Sequence, residues 1–307
     1  MILLYHLIFP DDTPADARNA GKVLKLKDFK RHITWLNKYF NIVSLKEHIN
    51  LAADRTSSNR ICIAITFDDG YQRTFDLISP FLVKEEIPVT FFVTTSHLSD
   101  DQLLWFVYFN ALCFEKTYPD ITISGKIYLL NSEKNCYTAW RTLINLARHS
   151  GDAIAFSRNF SRDYPLPESI VQKYLGLTEK QISEIGKSPF LALGGHTHHH
   201  PYLNQISQKI QYQEMLQNKQ ILERLSGKPV EHFAYTGGVY NMQSITAAKE
   251  AGFHAAFAVN PRRLNAEPLF EIPRTDIYSP SLLKLTLKVT GIVNFARRIG
   301  YQRIDGE

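Results

Sequence analysis

Apolar and polar positions change their spacing along the chain in a repeating order that predicts strands and helices in alternation. Short apolar runs at 61–67, 89–95 and 189–193 are typical of buried strands. Residues 26–36 place apolar side chains at three- and four-residue spacings, which predicts an amphipathic helix. Alternating strands and helices build a parallel sheet or a barrel. We therefore predict an α/β fold.

Weaker patterns complete this outline. His32 and His48 fall at polar positions of helical segments, so we expect both side chains at the surface. The remaining predicted strands cover 1–10, 42–45, 230–235, 254–259 and 270–277, and the remaining predicted helices cover 75–86, 206–225 and 244–251.

Residues 97–188 interrupt the regular pattern. Aromatic side chains are dense at 103–109, and an alternating stretch runs from 121 to 130. Insertions of this length usually carry a function, so we expect an inserted helical and irregular subdomain that acts as a lid or selects the substrate. The alternative is that Trp105 and Phe109 only pack the insertion onto the rest of the fold.

Two carboxylates follow the strand at 61–67 directly. Asp68 and Asp69 are adjacent and precede Gly70. Neighbouring carboxylates repel each other unless a cation binds between them, and a divalent metal ion is a common solution. The alternative is an ordinary Asp-Gly turn with a capping aspartate. If the first interpretation holds, the end of this strand is a catalytic position.

A histidine cluster follows the strand at 189–193. His196 and His200 are four residues apart and face one metal ion if the segment curls into a helical turn. His198 and His199 are alternative ligands, and His196 with His199 is a second pairing that the spacing allows. Taken alone, such a cluster is also compatible with an adventitious metal binder or with a solvated turn. Together with one aspartate, however, two histidines leave coordination positions open for water and substrate, which is typical of a catalytic site.

Composition narrows the class of protein. The chain has 307 residues, and 44% of them are hydrophobic, so it can bury one large core and is neither disordered nor fibrous. The formal net charge of +5 is modest and dispersed. It is compatible with an anionic substrate but does not indicate nucleic-acid binding.

The cysteines and the apolar segments favour a cytoplasmic protein. Cys62, Cys113 and Cys136 are odd in number and show no paired spacing, which favours a reducing compartment. The first ten residues lack the features of a secretion signal. No apolar run approaches the roughly 20 residues that span a bilayer. The apolar, cationic segment 281–298 is either a helix that closes the fold or a weak membrane-surface contact.

Two motifs resemble those of a known family. Thr66–Phe67–Asp68–Asp69–Gly70, followed by the histidines at 196–200, resembles the first two motifs of the polysaccharide deacetylases, the NodB-homology carbohydrate esterases. Segments 4–6, 88–93 and 233–238 extend the resemblance. It implies one deacetylase domain over 1–307. The fold would be a distorted (β/α) barrel with about seven strands and an insertion between the two metal-binding motifs.

The resemblance also implies roles for individual residues. Asp69, His196 and His200 would hold a divalent metal ion, with zinc expected first and cobalt or nickel as alternatives. Asp68 would be the general base. In the third motif, Gly237 would supply a backbone amide to the oxyanion, and Tyr235 would contact the substrate or the oxyanion.

The chain departs from the family at two positions. The arginine that braces the catalytic aspartate is replaced by Ala234, and we expect Arg274 either to replace it or to form a salt bridge at the rim. No histidine follows His254, although the family supplies a late histidine as the acid. His6, at the end of the first strand, is our candidate for this acid, and packing or substrate contact is the alternative.

The function implied by the resemblance is metal-dependent removal of an N-acetyl group from an amino sugar of a glycan or glycan precursor. The predicted cytoplasmic location favours a lipid- or nucleotide-linked sugar. Two alternatives remain open: an amidohydrolase acting on a cyclic amide or formamide, and a catalytically silent sugar-binding protein that keeps the metal.

Overall fold

A computed structural model describes residues 1–13, 23–54, 61–100, 103–259 and 267–291. The strands in these ranges are β1 (Ile2–Tyr5), β2 (Leu7–Phe9), β3 (Val23–Lys25), β4 (Asn41–Ile42), β5 (Cys62–Phe67), β6 (Val89–Val93), β7 (Asp120–Ile123), β8 (Lys126–Leu129), β9 (Leu191–Gly195), β10 (His232–Ala234), β11 (Ala255–Ala258), β12 (Ile272–Pro273) and β13 (Thr275–Asp276). The helices are α1 (Leu26–Tyr39), α2 (Leu45–Asp54), α3 (Gln72–Lys84), α4 (His97–Asp100), α5 (Trp105–Phe114), α6 (Glu133–His149), α7 (Ala153–Asp163), α8 (Glu168–Val171), α9 (Glu179–Lys187), α10 (Gln208–Ser226), α11 (Met242–Glu250) and α12 (Leu282–Val289).

The main sheet is a nearly closed parallel barrel, as predicted. Its strands follow the order β12–β11–β10–β9–β6–β5–β1–β13, and β4 pairs with β5 outside this path. The barrel closes through residues 272–276, because β12 pairs with β11 and β13 pairs with β1. The path counts eight strands if β12 and β13 are separate, and the expected seven if residues 272–276 are one interrupted strand. The interruption falls at Arg274.

Alternating side chains of the strands pack in two layers. Leu3 and Tyr5 of β1 belong to the large core that faces helices α1, α3, α10 and α11. Phe92 of β6 and Phe257 of β11 belong to a smaller cluster on the opposite face of the strands, inside the barrel. This split follows from the two-residue period of a strand, since neighbouring side chains point to opposite faces. Polar side chains instead follow the carboxyl ends of the strands, as Asp68 does after β5 and His196 after β9.

The first strand differs from the prediction. One strand was expected over 1–10, whereas β1 and β2 are separate, and the chain leaves the barrel at His6. The sheet partner changes there, because β1 pairs with β5 while β2 pairs in parallel with β3. His6 and Arg274 therefore both lie at breaks between short strands.

The inserted region has its own apolar cluster. Helices α5, α6 and α7 and the antiparallel hairpin β7–β8 bury side chains such as Phe109 and Leu143 together. This cluster is narrower than the predicted range of 97–188, because Leu177 and Ile182 belong to the barrel core instead. Helix α9 is therefore the barrel helix that precedes β9.

The closing segment behaves as a helix of the barrel. Leu285 and Val289 of α12 are buried in the main core, and the predicted tail beyond residue 291 lies outside the described residues. Within the described ranges, none of the helices has the length and apolar character needed to cross a bilayer. Cys62, Cys113 and Cys136 form no disulfide bond in the described part of the chain, which includes all three.

Candidate metal centre

The turn after β5 directs Asp69 into the barrel mouth. Asp69 has a φ of 71° and Gly70 has a φ of 78°. Aspartate is one of the few side chains that tolerates this left-handed conformation. A side chain at position 70 is excluded, because a Cβ there would lie 2.8 Å from Cγ1 of Val93. The sequence Asp-Gly is therefore required by the backbone as well as by the chemistry of the site.

The histidine cluster forms a loop and not the predicted helical turn. Thr197 and His200 have φ values of 61° and 57°, and the backbone N–H of His200 donates to Oγ1 of Thr197 at 3.0 Å. This tight loop brings the rings of His196 and His200 to 5.0 Å between centroids. The two imidazoles therefore converge without a helix.

The metal-binding atoms of Asp69, His196 and His200 lie close together. Oδ1 of Asp69 lies 3.5 Å from Nε2 of His196 and 3.5 Å from Nε2 of His200. All three side chains are buried, and no other group of three or more metal-binding side chains is found in the described part of the chain. Ligand atoms bound to one zinc ion lie roughly 3–3.5 Å apart. The donor set therefore fits a divalent metal ion of the zinc type.

The orientation of His196 is fixed from behind. Its Nδ1 lies 2.8 Å from the carbonyl oxygen of Ala234, which favours the tautomer that leaves Nε2 free to bind a metal. Its backbone N–H donates to Oδ1 of Asn218 at 3.0 Å. The amide nitrogen of Asn218 donates in turn to the carbonyl oxygen of Val93 at 2.8 Å. Asn218 is fully buried on α10 and was not identified from the sequence.

His198 and His199 are turned away from this point. Nδ1 of His198 lies 2.9 Å from Oγ1 of Thr95. Nδ1 of His199 lies 2.6 Å from Oε1 of Glu214, whose other oxygen accepts the backbone N–H of His199 at 2.7 Å. The spacing allowed several histidine pairings. The structure brings His196 and His200 to Asp69 and places His198 and His199 elsewhere.

Asp68 is held by Arg274. The guanidinium donates to Oδ1 and Oδ2 of Asp68 at 2.6 and 2.7 Å, and it lies 5.0 Å from the centroid of the Phe92 ring. Burial alone would raise the pKa of Asp68, but Arg274, His196 and His6 together lower it below its usual range. Asp68 is therefore ionised, fixed in place and separate from the group formed by Asp69 and the two histidines.

A cavity of about 360 Å³ opens above these groups. His6 and Tyr278 line it together, with ring centroids 5.7 Å apart, and Gly237 lines it with a φ of 59°. Tyr235 also lines the cavity, but its hydroxyl donates to the carbonyl oxygen of Phe270 at 3.0 Å and its amide to that of Phe257 at 3.1 Å. Both hydrogen-bond donors of Tyr235 are thus engaged within the fold.

A comparison with protein families identifies the chain. The model of the polysaccharide deacetylase family matches residues 55–256. This is more than half of the sequence and includes the two motifs that carry Asp69, His196 and His200. The chain belongs to the polysaccharide deacetylase family. Members of this family are metal-dependent hydrolases that act on amide C–N bonds.

Individual family members are distant in sequence. The putative polysaccharide deacetylase YxkH of Bacillus subtilis is 21% identical over 262 residues, which is 85% of this chain and 64% of that protein. The chain thus spans less than two thirds of the length of this curated relative. The Streptococcus pyogenes deacetylase PplD, solved in complex with acetate, is 18% identical with a TM-score of 0.60, and the match covers 93% of this chain and 96% of that chain. IcaB from Ammonifex degensii is 15% identical with a TM-score of 0.57, covering 90% and 91%.

The insertion of this deacetylase-family chain also contacts the metal centre. The ring of Phe106 lies 4.2 Å from that of His200 between centroids, and the indole N–H of Trp105 donates to the carbonyl oxygen of His200 at 3.2 Å. Trp105 also belongs to the apolar cluster of the insertion, as Phe109 does. Both alternatives for Trp105 therefore apply, because it packs within the insertion and also contacts the backbone of His200. The aromatic run at 103–109 was the only signal for this contact in the sequence.

Proposed function

We propose that this chain hydrolyses the N-acetyl group of an amino sugar in a glycan or glycan precursor, with a divalent metal ion held by Asp69, His196 and His200. One observation carries the proposal. A buried group of three metal-binding side chains lies beside a second carboxylate, Asp68, that is ionised and held by its own arginine. A protein that only bound sugar would have no use for such a base. The proposal treats residues 1–307 as one catalytic domain with the insertion as a substrate-facing subdomain.

The donor set of one carboxylate and two imidazoles suits zinc first, and cobalt or nickel as alternatives. When bound, the metal supplies a Lewis acid that polarises the acetamide carbonyl and lowers the pKa of water. His196 is the most firmly placed ligand, since its Nδ1 and its backbone N–H are both hydrogen-bonded. His200 is held by the Phe106 ring on its side.

Asp68 acts as the general base in this proposal. It takes a proton from the attacking water as the water oxygen bonds to the acetamide carbon. Arg274 binds both of its oxygens and so fixes the direction of the carboxylate. Arg274 thereby takes the role of the family arginine, whose position in this chain is occupied by Ala234. It is a positioning residue because it acts through Asp68.

Residues that line the cavity would stabilise the oxyanion and protonate the leaving group. Gly237 would donate its backbone N–H to the developing oxyanion. His6 would donate a proton to the leaving amine, so that the C–N bond breaks to give acetate and a free amino sugar. The acetate found with PplD is the product that this reaction would release. Tyr235 contributes a wall contact, since its donors are already engaged.

The substrate we propose is a lipid- or nucleotide-linked N-acetylated sugar, and not nucleic acid. The lack of a disulfide bond among Cys62, Cys113 and Cys136 supports a reducing compartment, such as the cytoplasm, where such precursors are assembled. A membrane-surface contact through 281–298 is not needed for this function, because Leu285 and Val289 are buried within the fold.

The test is acetate release by the purified chain from a panel of neutral, nucleotide-linked and lipid-linked N-acetyl sugars. We expect acetate and free amine in equal amounts. A chelator should abolish the release, and zinc, cobalt or nickel should restore it. If the chain hydrolyses cyclic amides or formamides and no N-acetyl sugar, it is an amidohydrolase of small amides and not a sugar deacetylase. Sugar binding without any acetate would identify a silent binding protein.

A further inference from the structure

One face of α6 runs along the cavity. Trp140, Ile144 and Arg148 are spaced four residues apart and therefore lie on the same side of the helix. Trp140 and Ile144 line the cavity above the metal centre. Arg148 is one turn further along the helix, and its guanidinium stacks on Tyr202, a residue of the cavity wall. The insertion thus presents two apolar side chains to the cavity and places a cation behind Tyr202, one turn beyond them.

Arg148 has an unusual environment for a half-buried cation. Its guanidinium lies 4.1 Å from the centroid of the Tyr202 ring, which also lines the cavity. Its Nε is buried and has no hydrogen-bond partner among the residues that the structure describes. Across the described ranges, no acidic side chain forms an ion pair with Arg148. The planar guanidinium of an arginine is suited to phosphate or carboxylate, and no carboxylate of the described residues already holds this one.

The positions of the metal centre and of Arg148 give the orientation of a ligand. Apart from histidines, the charged side chains that line it in the described residues are Asp68 and Asp69. Arg274 and the proposed metal ion offset these two carboxylates, so the position of an anionic group on the substrate is set by its attraction to Arg148. The acetamide can then reach the metal centre while the anionic group lies at α6.

We propose that Arg148 binds an anionic group, a phosphate or a carboxylate, attached to the N-acetyl sugar, and that the sugar ring packs on Trp140 and Ile144. This inference rests on the proposed deacetylase function and specifies its substrate as anionic. Aromatic and aliphatic side chains suit the apolar face of a pyranose ring, and the guanidinium suits two oxygens of the anion. The stack on Tyr202 holds the guanidinium in place before the ligand arrives.

The experiment compares Arg148→Met and Arg148→Lys with the matched control Arg141→Met, an exposed arginine on the same helix. The probes are neutral N,N′-diacetylchitobiose, N-acetylglucosamine 1-phosphate, UDP-N-acetylglucosamine and N-acetylmuramic acid. The two phosphate probes and the carboxylate probe distinguish the two sources of charge. The readouts are kcat and KM for acetate release, and calorimetric binding of the same probes to the metal-loaded chain.

We expect at least one anionic probe to be preferred over the neutral one. Arg148→Met should raise its KM roughly tenfold to a hundredfold, as expected for a lost hydrogen bond to a charged group. The kcat should change little, the neutral probe should change less than twofold, and Arg148→Lys should keep part of the preference. Arg141→Met should behave like the unchanged protein.

An equal loss on neutral and anionic probes would make Arg148 a structural support of Tyr202 and overturn the inference. So would an unchanged preference in Arg148→Met. If the unchanged protein releases no acetate from any probe, that result contradicts the proposed deacetylase function. The binding data then decide the inference by themselves, and equal affinities of the unchanged protein and Arg148→Met for the anionic probes would overturn it.

Discussion

Arg274 donates to both carboxylate oxygens of Asp68, at 2.6 and 2.7 Å, across 206 residues of sequence. Arg274 lies at the break between the two short strands that close the barrel, and Asp68 directly follows β5. The closure of the barrel therefore places a fixed cation next to the proposed base. Both side chains are almost fully buried, so the pair is formed away from bulk water.

Replacing one member of this pair leaves a buried charge without a partner. We expect Arg274→Met to lower the free energy of unfolding by about 3–5 kcal/mol. The double variant Asp68→Asn with Arg274→Met should recover part of this loss, because neither charge remains. Urea unfolding of the two single variants and the double variant measures the coupling between them. Strictly additive losses would show that the two side chains do not stabilise each other.

The contribution of His6 to kcat is expected to increase with the basicity of the leaving group. An amine must be protonated as the C–N bond breaks, whereas p-nitrophenolate leaves from an activated acetate ester without an acid. His6→Gln should lower kcat on an N-acetyl sugar roughly a hundredfold or more and leave p-nitrophenyl acetate hydrolysis nearly unchanged.

Tyr278→Phe is the control for His6, since Tyr278 lines the same part of the cavity and burial raises its pKa. The assignment of His6 is wrong if His6→Gln retains full amide turnover. It is also wrong if Tyr278→Phe shows the selective loss instead.

Asn218 should control metal affinity without touching the metal. It holds the backbone N–H of His196 and ties it to β6. We expect Asn218→Leu to weaken metal binding about ten- to a hundredfold, as for other residues that orient a ligand. Chelator competition measures this affinity. Gln217→Leu, an exposed neighbour on α10, is the control and should bind as the unchanged protein does. Equal affinities of the two variants would contradict the role of Asn218.

His232 gives a prediction for acid stability at the opposite end of the barrel. Burial lowers its pKa to about 4, against an opposing effect of Glu231 and with small further lowering by His254 and Lys46. The unfolded chain binds this proton more tightly, near pH 6.5, than the folded chain does. Stability is therefore fully present above about pH 6.5 and is lost as the pH falls toward 4, by roughly 2–3 kcal/mol.

His232→Gln removes this titrating group. The difference in unfolding free energy between pH 7 and pH 4.5 should therefore be smaller in the variant than in the unchanged protein. His149→Gln, at an exposed position of α6, serves as the control and should keep the full pH dependence. The same pH dependence in both variants would contradict the buried, neutral state of His232.

The sequence predicts the parts of this molecule that depend on local patterns. The strand at 61–67 is confirmed as β5, and the helix at 206–225 is confirmed as α10 within two residues at each end. Spacing and the family resemblance predict Asp69, His196 and His200 as ligands, because these residues follow the ends of two buried strands. The structure then brings their ligand atoms together.

Features that depend on distant contacts were missed. The interruption at Arg274 was hidden in one predicted strand, since its cause is pairing with two different neighbours. Asn218 looks like any polar residue of a helix until β9 packs against it. His32 was expected at the surface and is fully buried, with Nε2 3.3 Å from the carbonyl oxygen of Pro280. A partner 248 residues away leaves no local pattern.

The central claim is that Asp69, His196 and His200 hold one divalent metal ion, and neighbouring histidines provide its most direct test. Metal content should be measured after zinc loading and dialysis for the unchanged protein, His200→Gln and His199→Gln. We predict about one zinc ion per chain in the unchanged protein and in His199→Gln, and a large loss in His200→Gln. Loss of the ion in His199→Gln with retention in His200→Gln would contradict the account.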